Sequence, residues 1–310
     1  MNKKYLAMIF LTVLVLGCTD SSGGFDKNAG AAIREFSIDI TDLVENEDTG
    51  VIISVQNVGG KTMPGDSKLW FYGPTFDEDT SWSVTGDIAT ATESGYDIET
   101  NEFMPPDGDR GIEGEIVYMD GTMSYHGDIA EGLPPQTFTF NARVCYPYTT
   151  SAATALKSQS RDEYRANPVK GTKAQTIESA GPIQINLKGN ENIRLSNSRM
   201  QLQFDIANVG IGNPLQKNIS HCFVGPNIKI AQLNKINFTV TVDGQDTDCV
   251  DKIVSIDRTT NKATAYCKAE ISETDSDDPN HEFYITATAE YDYYITETLK
   301  VQVADGNGDQ

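Results

Sequence analysis

The sequence predicts an all-β protein of two tandem antiparallel sandwiches, and three observations carry that reading. Apolar and polar residues alternate through short runs: Leu202, Phe204 and Ile206 share one face of QLQFDI, and Val51, Ile53 and Val55 share one face of VIISVQN. A period of two marks a strand with one buried face. Turn-forming clusters such as Pro105-Pro106-Asp107-Gly108 and Arg258-Thr259-Thr260-Asn261 separate these runs. The runs also recur. Val55-Gln56-Asn57-Val58-Gly59 returns 151 positions later as Ile206-Ala207-Asn208-Val209-Gly210. Phe138-Thr139-Phe140-Asn141-Ala142 returns 145 positions later as Phe283-Tyr284-Ile285-Thr286-Ala287.

From the N-terminus, Asn2-Lys3-Lys4 supplies positive charge ahead of a 13-residue apolar run, Tyr5 to Gly17, and then Cys18. The run is short for a bilayer span, which needs about 20 residues. A basic start, a short apolar middle and a small residue at its end form a secretory signal. Its last residues, Val15-Leu16-Gly17-Cys18, resemble the lipobox of prokaryotic lipoproteins. That resemblance implies cleavage after residue 17, a diacylglycerol on the Cys18 thiol, and an extracytoplasmic protein held to the cell membrane by its lipid. An ordinary signal peptide with an incidental Cys, or an uncleaved anchor, is the plainer alternative. Residues 18–30, ending TDSSGGFDKNAG, read as a polar tether behind the lipidated Cys.

The first repeat occupies 31–150, with strands expected near 34–40, 51–57, 67–73, 114–119 and 136–148. The second occupies 181–304, with strands near 183–187, 201–206, 236–243, 252–257, 263–271 and 283–303. Residues 151–180 form the linker, and 305–310 a polar tail. Parity agrees between copies: Phe138, Phe140, Ala142, Val144, Tyr146 and Tyr148 share one face, as do Phe283, Ile285, Ala287, Ala289, Tyr291 and Tyr293. The fall in offset from 151 to 145 places about six additional residues in the first copy, expected in the acidic stretch 101–114. Strands of alternating apolar residues ending in Asn-Val-Gly, here Asn57-Val58-Gly59 and Asn208-Val209-Gly210, resemble the Ig-like modules of cell-surface proteins, especially the cell-adhesion-related (CARDB-like) class. The resemblance implies a turn out of a central strand, with Gly supplying an unusual φ and Asn bonding locally.

Four cysteines follow Cys18, and an even number in an exported chain favours disulfides. Cys249 and Cys267 flank a hairpin. By parity Cys145 points away from its own core, so it pairs with Cys222 across the repeats or stays free. No CxxC spacing supports a metal site. Asp275, Asp277, Asp278 and Asn280, then Asp107, Asp109, Glu113 and Glu115, and finally Asp305, Asn307 and Asp309 offer clustered oxygens, but none continues into a calcium loop. Acidic turns are ordinary in a protein of this charge, so no metal and no cofactor is expected.

His126, His221 and His281 stand apart, and no GxSxG, P-loop or GxGxxG is present. The expectation is no enzyme. Trp70 and Trp82 could form a sugar-stacking platform, although an inward Trp is the commoner fate in a sandwich. Asp and Glu total 45 against 24 Lys and Arg, a net charge of −21. That charge repels phosphate backbones and argues against nucleic acid. Lys157, Arg161, Arg165, Lys170 and Lys173 make the linker locally basic, as a solvated segment against acidic faces or a partner patch. The expected role is adhesion, recognition or envelope structure, with an unknown protein or glycan partner at the cell surface. Two alternatives stand: a carbohydrate-active hydrolase or sugar-binding protein, and a subunit of an extracellular filament or secretion apparatus. A terminal strand that leaves its own sandwich would favour the last.

Overall fold

A computed structural model describes residues 28–306, apart from 65, 78–80, 99–102, 160–172, 195–197, 218–221, 223–224, 226 and 273–280. Its first part contains β1 (Ala31–Ile38), β2 (Asp42–Val44), β3 (Asp48–Asn57), β4 (Lys68–Tyr72), β5 (Trp82–Val84), the short helix α1 (Asp87–Glu93), β6 (Tyr96–Asp97), β7 (Ile116–Tyr125) and β8 (Gln136–Gln159). There follow β9 (Ile177–Glu178), β10 (Ile183–Lys188), β11 (Asn192–Arg194), β12 (Arg199–Asn208), β13 (Asn213–Gln216) and β14 (Lys235–Val242). The chain closes with β15 (Gln245–Asp246), β16 (Lys252–Ser255), β17 (Lys262–Glu270) and β18 (Glu282–Ala304).

Two long strands organise everything else. β8 and β18 pair antiparallel from Glu282↔Lys157 to Val303↔Gln136, an unbroken ribbon about 70 Å long at strand rise. It is the centre of a large sheet whose main path runs β15-β14-β18-β8-β4-β6. Two smaller sheets cover one face of it. The sheet β1-β3-β7-β5 packs over the half of the ribbon built from the start of β8 and the end of β18, where Phe36 meets Phe71 and Trp82 meets Phe140. The sheet β10-β12-β17 packs over the other half, where Phe204 meets Phe238. The alternating apolar residues of both strands fill these interfaces, so Phe140, Val144, Phe283 and Ala287 are buried.

Each sandwich therefore has the strand order of an Ig-like domain, with one strand borrowed. In the first, β4 and the start of β8 are followed by the end of β18, and β2 lies parallel to it at Gln302↔Asp42. In the second, β14 and the start of β18 are followed by the end of β8, and β11 lies parallel to that at Asn192↔Lys157. The hairpin that would return each strand into its own sandwich is absent; both run straight on into the neighbour. The exchange is reciprocal.

Several expectations change accordingly. Residues 151–180 are not all linker, because β8 continues through Gln159. Within that continuation Ser151–Leu156 pair with Thr288 to Phe283, in the second sandwich. The repeat 181–304 is likewise divided, since Val301 and Val303 are buried in the first sandwich. The tether does not reach residue 30, because Ala29 and Gly30 are already buried against the fold. The six-residue surplus is a net difference: the segment from Asn208 to β14 is the longer of its pair, and the segment from β4 to β7, which holds β5, α1 and β6, outweighs it.

The Asn-Val-Gly turns follow the expected logic for Asn but not for Gly. Asn57 Nδ2 donates to the Lys61 carbonyl at 2.9 Å and Asn208 Nδ2 to the Gly212 carbonyl at 2.8 Å, closing equivalent loops. Neither Gly59 nor Gly210 has a positive φ. Space is what they supply: a Cβ at Gly59 would lie 2.2 Å from the Ala29 carbonyl oxygen, and one at Gly210 2.5 Å from Tyr293 Oη.

Candidate binding site

Where the chain crosses from one sandwich to the other, Tyr146, Tyr148, Tyr291 and Tyr293 meet in one buried cluster with centroids 5.6–6.2 Å apart. Tyr293 Oη donates to Asn208 Oδ1 and accepts from the Gly212 N–H, both at 2.9 Å. Tyr291 and Thr150 share a hydroxyl contact at 2.7 Å. Burial pushes the Tyr148 hydroxyl up to about 12 and raises Tyr146, Tyr291 and Tyr293 as well. Lys61 reaches into this waist, donating to the Thr149 carbonyl and to Ser179 Oγ, and burial lowers its pKa. The cluster is a joint between the two sandwiches.

The opposite face of the ribbon carries a clasp. Cys145 points outward and is bonded to Cys222 of the second repeat, and Trp70 Nε1 donates to the Cys222 carbonyl at 2.6 Å. Leu215 and Leu233 pack against this pair. Trp70 is thus on the outer face, yet buried, while Trp82 is inward and buried. Neither can stack a sugar. Cys249 and Cys267 form the second bond, and Asp248 lies beside them; cysteines joined in a disulfide are not metal ligands.

Further along the same outer face, in the second sandwich, the ribbon forms the floor of a trough of about 640 Å³. Ala153 and Ala155 on β8 leave it open because their side chains are small. Tyr284 stands on one side with 63% of its surface exposed, and Ile177 of β9 on the other with 78%. Lys157 and Glu282, direct partners in the ribbon, close one end together with Glu191. Tyr284 is held by Asp243, whose carboxylate accepts from the Tyr284 N–H at 2.8 Å and whose N–H donates to the Tyr284 carbonyl. The volume lies within the range of small-ligand clefts. An open phenol ring, an aliphatic wall and charged groups at one end suit a ligand with an apolar face and a hydroxylated or ionic edge.

Sequence reasoning missed this trough, although one signal was present. Tyr284 falls between the inward residues Phe283 and Ile285, and a large aromatic on the solvent parity of a strand is a surface feature to explain. Of the histidines, His126 is in a network: Nε2 lies 3.0 Å from both Ser83 Oγ and Ser124 Oγ, and Nδ1 2.9 Å from Asn46 Oδ1. With Asn46 Oδ1 accepting, Nδ1 carries the proton, and the ring ties β5 and β7 to the turn between β2 and β3. Asp107 is spent on its own turn, accepting from the Asp109 and Arg110 N–H groups. Cys18, His221, Arg161, Arg165, Lys170 and the acidic run Asp275–Asn280 lie outside the described residues, as do Asn307 and Asp309. Among the described residues no helix is long and apolar enough to cross a membrane.

Compared with known proteins, the chain matches no family and no curated sequence. Among solved structures, it is similar to the Enterococcus faecalis adhesin ACE, described as binding its ligands by a collagen hug, at 13% identity over 88% of this chain and 95% of that one, with a TM-score of 0.13. The collagen adhesin CNA from S. aureus aligns at 10% identity over 88% and 92%, with a TM-score of 0.14. The native form of E. coli alpha-2-macroglobulin aligns at 11% over 91% of this chain and 17% of that chain, with a TM-score of 0.16. Scores this low carry no inference about what the chain binds; its fold rests on its own strand pairing.

Proposed function

We propose that this is a non-catalytic recognition protein of the cell surface, held to the membrane by lipid on Cys18, and that the trough on the outer face of the ribbon takes a glycan. The observation that supports this most is the exposed Tyr284 in one trough with Glu191 and Glu282. A sugar ring presents C–H groups to an aromatic face and hydroxyls to carboxylates. The reciprocal exchange of strands makes the site part of a sheet that spans both sandwiches, and taken alone it favours the alternative of a filament or secretion-apparatus subunit.

The test is binding of the chain from residue 19 onward to a panel of immobilised polysaccharides, alongside Tyr284→Ala. Tyr284 is exposed, so its loss should shift stability by no more than about 0.5 kcal/mol. Retention of the intact chain on at least one polysaccharide, weakened about tenfold or more in Tyr284→Ala, supports the reading. Equal retention of both forms, or no retention on any polysaccharide, removes the trough from it. Anchoring is tested separately: Cys18→Ser should release the chain to the medium or leave an unprocessed precursor, and a Cys18→Ser chain that is still cut to mature size and still partitions into detergent would reject the lipid.

A further inference from the structure

We propose that residues 295–304, the end of β18, are a transferable strand, and that their seat in the first sandwich also accepts the same segment from a second copy of this chain. The seat lies between residues 136–144 of β8 and the short strand β2. Its occupant already comes from the other sandwich. The segment presents Ile295, Val301 and Val303 as buried side chains, with Leu299 half-buried, and pairs with β8 from Ile295 through Val303. A second copy carries the same groups in the same order, so the seat is complementary to it without any new contact.

The two exchanged strands are not held alike. The end of β8 leaves the waist beside Cys145, which is bonded to Cys222, and is flanked by β9 and β11 in the second sandwich. The end of β18 has no covalent tie: all four cysteines of the described fold are used elsewhere. Beyond β8 its only further strand partner among the described residues is the three-residue β2. Between the two halves of β18 there is no turn to rebuild. Release requires the strand to bend just past the waist, after Tyr294, while Ile285–Tyr294 stay paired with β14 and β13 in the second sandwich. The freed end then enters the first sandwich of a neighbour. This is the geometry of domain swapping, in which one element changes partner at small cost in contacts.

Within one chain the strand competes at an effective concentration of at least about 1 mM, so exchange between copies needs crowding and a condition that opens the seat. The proposal stands apart from glycan binding, because it uses the other sandwich and its readout is mass.

The experiment compares the chain from residue 19 onward with Thr139→Cys/Lys300→Cys, positions that are partners in the ribbon. Both are held near 1 mM just below the unfolding midpoint, cooled, diluted and sized by light scattering. The unmodified chain should give dimers and larger species that persist on dilution. The oxidised double variant should stay monomeric, and its selectively reduced form should regain the larger species. Circular dichroism of the reduced variant reports that it folds. A chain that stays monomeric throughout, or larger species that form equally in the oxidised variant, would overturn the proposal.

Discussion

Pro147 and Asp292 stand directly opposite one another in the β8–β18 ribbon, and they are also equivalent positions of the sequence repeat, 145 residues apart. A pair that is both partner and equivalent lies on a local twofold axis. The repeat offset and the ribbon register are therefore one fact. Tyr146, whose equivalent is Tyr291, faces Tyr293, and Tyr148, whose equivalent is Tyr293, faces Tyr291. β2 and β11 obey the same symmetry, each lying parallel to the borrowed strand end of its sandwich.

The tyrosines at this axis differ in how their hydroxyls are used. Tyr293→Phe strips the buried Asn208 Oδ1 of a donor and the Gly212 N–H of an acceptor. It should cost about 1–3 kcal/mol in denaturant unfolding. Tyr148 makes only a 3.4 Å contact to the Ala180 carbonyl, so Tyr148→Phe should cost less than about 1 kcal/mol. Equal losses would mean the hydroxyl at Tyr293 carries no structural bond.

The same cluster makes the fold sensitive to alkali. Burial raises the tyrosine pKa values above the ordinary 10.0, to about 12 at Tyr148. Below pH 10 both states hold the phenol protons and the contribution is complete. Above it the unfolded chain loses protons that the folded chain keeps, so stability falls as pH rises from about 10 through 12. Phenolate absorbance should show these buried tyrosines ionising together with unfolding. Ionisation of every tyrosine near pH 10 in the folded protein would contradict the burial.

The two cystines close loops of different length. Cys145–Cys222 spans 77 positions and Cys249–Cys267 spans 18. In the chain-entropy account these contribute about 4.5 and about 3 kcal/mol. Cys145→Ala/Cys222→Ala should therefore lower the unfolding midpoint more than Cys249→Ala/Cys267→Ala. The reverse order would mean that the clasp over Trp70 is held by its packing and hydrogen bond.

Much of this fold was legible in the sequence. The alternation in 48–57, 199–208 and 282–304 gives strands and their buried faces directly, and the parity of Cys145 turns it outward toward Cys222. The exchange of strands was not legible. Phe138–Tyr148 and Phe283–Tyr293 show the same inward pattern whether each strand folds back at Thr149 or Tyr294 or runs on, because alternation reports which face is buried and not which sheet buries it. The missing cue was the lack of any Gly, Asn-Gly or Asp-Gly turn across 146–156 and 291–301, where two hairpins would have needed one. The trough escaped for a related reason: Ala153, Ile177 and Tyr284 are distant in sequence and meet only because β8 continues past the waist.

The most direct measurement of the reciprocal exchange is a crosslink across the borrowed strand. Asn141 and Thr298 are partners in the first sandwich, with their side chains on the outer face. In the dilute monomer, oxidised Asn141→Cys/Thr298→Cys should yield a peptide joining positions 141 and 298 within one chain, beside the two native cystines. If each sandwich instead kept its own last strand, folding back at Thr149, position 141 would face residues near 157. Monomer that folds normally but gives no bond between positions 141 and 298 would contradict the exchange.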